Sequence, residues 1–201
     1  MTSTGRVEAF SDGVLAIAIT LLVLDLRVPP RDGTHGSLAH QLAHEWPSYA
    51  AYVTSFLVIG IIWINHHTVF QLIGRVDRVL LFINLILLMF VAAIPFTTSL
   101  LAEYLTAERD ARVAAVVYSG VMLAMAVAFS VLYAWGALHP PLLRDGVDPA
   151  AARASIPRFT AGTVLYLATV GVALLSAPLC LAVHFLLAVY YSFQQLTRRA
   201  A

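Results

Sequence analysis

Six apolar runs, each about twenty residues or longer, leave this chain of 201 residues few ways to fold. They occupy 7–28, 48–72, 76–102, 111–138, 157–176 and 178–197. A bilayer core about 30 Å thick is crossed by roughly 20 helical residues. Hydrophobic residues make up 60% of the chain and charged residues 11%, with a mean hydropathy of +0.84. Soluble domains run at about 45–50% apolar and about 25% charged. A soluble domain of this size lacks the interior volume to hide so much apolar surface. An ordinary soluble enzyme, a disordered chain and a DNA-binding domain are therefore excluded, and lipid is the expected solvent. In lipid every backbone amide needs an internal partner, which leaves helices or a closed barrel. The runs fit helices, so the expectation is a single all-α membrane domain over 1–201 with six transmembrane helices.

Local chemistry marks the ends. Pro47 and Pro157 suit the first turn of a helix. The 40 residues from Arg158 to Thr197 would measure about 60 Å as one helix, which is two crossings. Pro178 lacks a backbone amide, so Ser176-Ala177-Pro178 is the expected break. Ser37 to Glu45 reads as a short interfacial helix with Leu38 and Leu42 on one side.

All twelve basic residues are arginine, and the net charge of +1 offers nothing to nucleic acid. With the N-terminus inside, Arg6, Arg75, Arg78, Arg144, Arg153, Arg158, Arg198 and Arg199 fall on the inner side. Arg27, Arg31, Arg109 and Arg112 fall outside. Eight against four predicts cytoplasmic N- and C-termini. Cys180, the single cysteine, reads as a small buried hydrophobe.

The first run is the informative one. Asp12 and Asp25 bracket only twelve apolar residues, about 18 Å of helix. A carboxylate near mid-membrane needs protein or water to receive it. At 100° per residue, Gly13, Ile17, Thr20, Leu21 and Leu24 share one stripe. Asp12, Ala16, Ile19 and Val23 share another, and this Asp12 face is expected to pack into the bundle. From the residues alone, the Ile17 stripe reads as helix packing or lipid contact.

Arg6, Phe10, Ser11 and Asp12, followed by Ala16, Ile17 and Thr20, closely resemble the signature of the transmembrane-protein-175 family, potassium channels of lysosomes and bacteria. Trp63, Asn65, His66, His67 and Phe70 look like that family's Trp…His…Phe pattern. The resemblance implies a homotetramer whose central pore is lined by the first helix. It assigns a hydrophobic constriction to Ile17, with Leu21 and Leu24 further outward, and a selectivity role to Thr20 and Ile17. It gives Ser11 and Asp12 an architectural role, alongside Arg6 and Phe10, with Trp63, Asn65 and His66 as partners. It also implies a bacterial plasma-membrane channel, with potassium as the permeant ion.

No Thr-Val-Gly-Tyr-Gly filter is present, so selectivity by carbonyl rings is unsupported. Asp25 at the outer end could draw cations to a pore mouth or pair with Arg27. Adjacent histidines point about 100° apart, so His66 and His67 cannot easily grip one ion, and no metal or cofactor is expected. His40 and His44 have a spacing that can bind zinc, but loop histidines are more often solvated. No nucleophile and base pair stands out for catalysis, and no soluble partner is indicated. The competing readings are an ion- or proton-coupled transporter and a haem- or metal-binding membrane protein.

Overall fold

The computed structural model describes residues 2–30, 37–107 and 109–198, with the side chains of 2–3 and 194–198 left aside. Arg31 and Arg199 lie outside the described residues. Helix α1 (Gly5–Leu21) tightens into a 3-10 turn at Leu22–Asp25. Short α2 (Leu38–His44) follows, then α3 (Trp46–Leu72), α4 (Arg78–Tyr104) and α5 (Ala111–Leu138). Short α6 (Pro149–Ala154) leads into α7 (Ile156–Leu175) and α8 (Ala177–Arg198).

Several boundaries have a chemical cause. Ser37 caps α2 by accepting from the amide of His40 at 3.3 Å, so a short helix forms where one was expected. Asp77 caps α4: one carboxylate oxygen accepts from the Leu80 amide at 2.7 Å and the other from Trp135 Nε1 at 3.2 Å. That single side chain therefore starts α4 and ties it to α5. Ser176 is extended, separating α7 from α8 where the proline signal placed the break. α4 runs unbroken through Pro95, with Thr98 and Ser99 hydroxyls donating to the carbonyls of Ile94 and Pro95.

Among the described residues, five stretches are long and apolar enough to cross a membrane: Gly5–Asp25, Trp46–Leu72, Arg78–Tyr104, Ala111–Leu138 and Pro149–Leu175. Six were expected. Among the residues whose side chains are described, α8 adds a shorter apolar stretch, Ala177–Phe193, within a helix that runs on to Arg198.

Two ends of the bundle can be told apart. Strand β1 (Thr2–Ser3) pairs antiparallel with β2 (Arg75–Val76), and Ile73 bridges Leu143. The amide of Gly74 donates to Leu142 and that of Arg144 to Leu72, both at 2.9 Å. The N-terminus, the α3–α4 turn and the α5–α6 connection therefore meet at one end. At the other, Arg27 pairs with Glu103 at 3.6 Å.

The core sits between α3, α4 and α5. Tyr118, Met122, Leu87, Val91 and Phe70 are fully buried there. Ser55 lies 2.7 Å from the Thr98 hydroxyl and 3.0 Å from the Tyr118 hydroxyl, a buried chain that joins all three helices. Such groups keep their hydrogen bonds because no water replaces them in an apolar interior. α7 and α8 pack outside this core, against α5 and α3.

Candidate pore helix and its polar clamp

α1 is fully buried against its own chain along one stripe. Ser11, Leu15, Ala18 and Leu22 are buried, at helical spacings of four, three and four. Small Ser11 and Ala18 let α1 approach α3 and α4 closely. On the opposite side Ile17 is 61% exposed, Leu21 42% and Leu24 74%, and Gly13 and Thr20 are exposed as well. The Ile17 stripe is thus turned away from its own protomer.

The expected inward face was misplaced. Asp12 and Ala16 are exposed, Val23 is 49% exposed, and Ile19 is half-buried. The carboxylate of Asp12 does not enter the bundle. The long side chain of Trp63 on α3 reaches out to it instead, and its Nε1–H donates to Asp12 Oδ1 at 3.0 Å. A charged acceptor satisfied at the rim avoids the desolvation that full burial would impose.

The buried partner is Ser11. Asn84 on α4 donates through Nδ2 to the Ser11 hydroxyl at 3.0 Å and accepts at Oδ1 from His66 Nε2–H at 2.9 Å. All three are buried, at 0%, 2% and 1% exposure. The His66 ring packs on Phe70 with centroids 4.6 Å apart. One amide side chain therefore clamps α1, α3 and α4 together. Sequence reasoning named Ser11 and His66 but missed Asn84. The signal was present: Asn84 is a lone amide deep in an apolar run, and such residues mark packing or function.

The other proposed site residues scatter around this clamp. Arg6 and Phe10 are exposed on the first turns of α1, and half-buried Asn65 faces a cavity between α3, α5, α7 and α8. The Thr20 hydroxyl bonds back to the carbonyls of Ala16 at 3.0 Å and Ile17 at 2.9 Å. Its proton is thereby committed to the helix, while oxygen lone pairs stay available outward. Asp25 lies partly exposed in the 3-10 turn, and Arg27 forms its ion pair with Glu103 rather than with Asp25.

The histidines buried in the apolar runs each have one ring nitrogen held by the protein, while His184 Nε2 is buried with no hydrogen-bond partner among the described residues. His66 Nε2 holds Asn84, and His184 Nδ1–H donates to the Cys180 carbonyl at 2.9 Å. Cys180 is buried beside the Ser119 hydroxyl at 3.1 Å. His67 meets Gln71 one turn on at 3.0 Å, and the His40 and His44 rings contact edge-on at 4.6 Å.

The model of the endosomal/lysosomal potassium channel TMEM175 family matches residues 6–95. A potassium channel of Streptomyces collinus is 58% identical over the whole of this chain and 98% of its own length. The chain belongs to the TMEM175 family. A potassium channel of Chamaesiphon minutus is 43% identical over 96% of this chain and 95% of its own. The crystal structure of a lysosomal potassium-selective channel TMEM175 homolog from that organism superposes with a TM-score of 0.85 at 42% identity. It covers 95% of this chain and 97% of that one. The matched segment 6–95 holds α1, α3 and α4 as far as Pro95, so it contains Ser11, Asp12, Trp63, His66 and Asn84. Of the motif residues, Ser11, Asp12, Trp63 and His66 make these contacts, and Asn84 joins them from α4.

Proposed function

We propose that the chain is a subunit of a potassium-selective channel in which four copies arrange α1 around a central pore. It is not an enzyme; potassium is the permeant ion, and the channel uses no cofactor. One observation carries the pore assignment: the Ile17 stripe is uncovered and lies opposite the stripe by which α1 is clamped to its own chain. A single chain supplies one such helix, so closing a pore requires symmetry-related copies. The relatives named potassium channels, similar over nearly the whole chain, support the permeant ion.

In this reading Ile17 forms a narrow apolar ring, with Leu21 and Leu24 continuing it outward. An apolar constriction offers almost no ligands to replace hydration water. Potassium has the lower charge density and sheds that water more cheaply than sodium, so it passes more readily. Hydrophobic constrictions also gate by dewetting. Thr20 adds a ring of hydroxyl oxygens beside Ile17, with their protons directed into the helix. Asp25 at the mouth concentrates cations. Ser11, Asp12, Trp63, Asn84 and His66 set the angle at which α1 leaves its protomer.

Six crossings, with α8 the last, would place both termini on one side. Arg6, Arg75, Arg78, Arg144, Arg153 and Arg158 lie on elements of the N-terminal end, against Arg27, Arg109 and Arg112 at the other. That bias supports cytoplasmic termini in a bacterial plasma membrane. The direct test is recording from purified protein in planar bilayers. Current that reverses near the potassium equilibrium potential supports the proposal. Absence of current, or equal permeation of sodium, refutes it.

A further inference from the structure

A second feature lies away from α1. Between α3, α5, α7 and α8 is a cavity of about 420 Å³, within the range of about 300–1,000 Å³ of small-molecule sites. Its two ends differ in chemistry. Arg158, in the first turn of α7, stands at the end of the bundle that carries the N-terminus. Asn65 and Tyr191 line the wall behind it. Deeper in, the lining turns apolar with Phe129, Leu165 and Val58. Val58 is fourteen residues from the end of α3, about 21 Å along that helix. The cavity thus runs from a guanidinium at one membrane face to aliphatic and aromatic side chains near mid-membrane. Leu165 is 38% exposed and Ala161 on the wall is exposed, so the space opens at the surface of the chain.

We propose that this cavity binds one acyl chain of an anionic phospholipid, with the headgroup phosphate against Arg158. Three features select that occupant. The apolar depth favours an alkyl chain over water or a polar solute. The cation at the membrane-face end favours a phosphate, which arginine can bind through a two-pronged hydrogen bond. The cavity opens within the membrane, where phospholipid is the most abundant amphiphile. None of the residues involved belongs to the clamp or to the Ile17 stripe, so the site is independent of the pore assignment.

The test is native mass spectrometry of the purified protein titrated with phosphatidylglycerol or phosphatidylcholine. Arg158→Gln removes the cation and Ala161→Phe fills the mouth; both positions are exposed, so the fold should tolerate either change. The proposal expects about one retained phosphatidylglycerol per chain, weakened about fivefold by Arg158→Gln, with phosphatidylcholine, whose choline cation offsets the phosphate charge, binding more weakly at the outset and losing less. It expects Ala161→Phe to weaken both lipids. Equal binding of the two lipids by the unmodified protein, or unaltered phosphatidylglycerol binding in both variants, would overturn it. So would a chain that retains no lipid while Ala161→Phe disrupts the oligomer, since a neighbouring copy would then be the occupant.

Discussion

Replacing Asn84 by alanine removes the one side chain that touches both Ser11 and His66. Two hydrogen bonds, at 3.0 and 2.9 Å, are lost together among residues no more than 2% exposed. Interhelical hydrogen bonds in membrane proteins average about 0.6 kcal/mol and reach about 1.7 kcal/mol. A buried group left without any partner costs about 1–3 kcal/mol. The two orphaned groups are unequal. The Ser11 hydroxyl can turn back to a carbonyl of its own helix one turn earlier. The His66 ring packs at a tilt against Phe70, and its Nε2 loses the Asn84 oxygen. The net expectation for Asn84→Ala is therefore a loss of about 1–3 kcal/mol, nearer the histidine's share than twice a single bond. For a chain of this size that is a fall in Tm of about 5 °C. The assay is thermal unfolding in a fixed detergent, with Ser11→Ala and the double variant completing a cycle. A coupling of about 0.5–1 kcal/mol between positions 11 and 84 is expected. An Asn84→Ala protein as stable as the parent, or a cycle with no coupling, would refute the clamp.

Other consequences follow from named contacts. Trp63→Phe deletes the donor to Asp12 at an exposed position and should cost under about 1 kcal/mol of stability, yet it should alter potassium current, because α1 loses its outer tether; bilayer recording beside thermal unfolding separates the two effects. Ser55→Ala breaks the buried chain through Thr98 and Tyr118 and should cost about 1–3 kcal/mol in the same unfolding assay. Gly74→Ala places a Cβ 3.0 Å from the Cα of Arg144, where the bridged backbone cannot move aside easily, and should cost about 1–3 kcal/mol. Asp25→Asn should reduce potassium current at low ionic strength and have little effect at 1 M salt, where the Debye length is about 3 Å.

Much of this architecture was legible because bilayer physics leaves few options. The expected runs 48–72 and 111–138 became Trp46–Leu72 and Ala111–Leu138, since apolar length and flanking polar residues are the same quantities that end a membrane helix. Pro178 placed the α7–α8 break correctly, because a missing amide is a local property. What failed was non-local. The helical wheel separated the two faces of α1, but it treated the carboxylate of Asp12 as the mark of the buried one. The buried stripe is marked instead by small residues, Ser11 and Ala18, and the acid is served from outside by Trp63. Asn84 was overlooked because its partners lie 73 and 18 positions away, and no spacing rule within one helix connects them. The Asp25–Arg27 pairing was a guess from sequence proximity, and Glu103 took the arginine because the ends of α1 and α4 meet.

The central claim is that the Ile17 edge of α1 faces a shared ion path rather than lipid. Bilayer recording of Ile17→Asn against the parent tests it most directly. A polar amide ring would hydrate the constriction, so the account predicts larger unitary conductance and a lower preference for potassium over sodium. Conductance and ion preference both unchanged would place Ile17 outside the permeation path and contradict it.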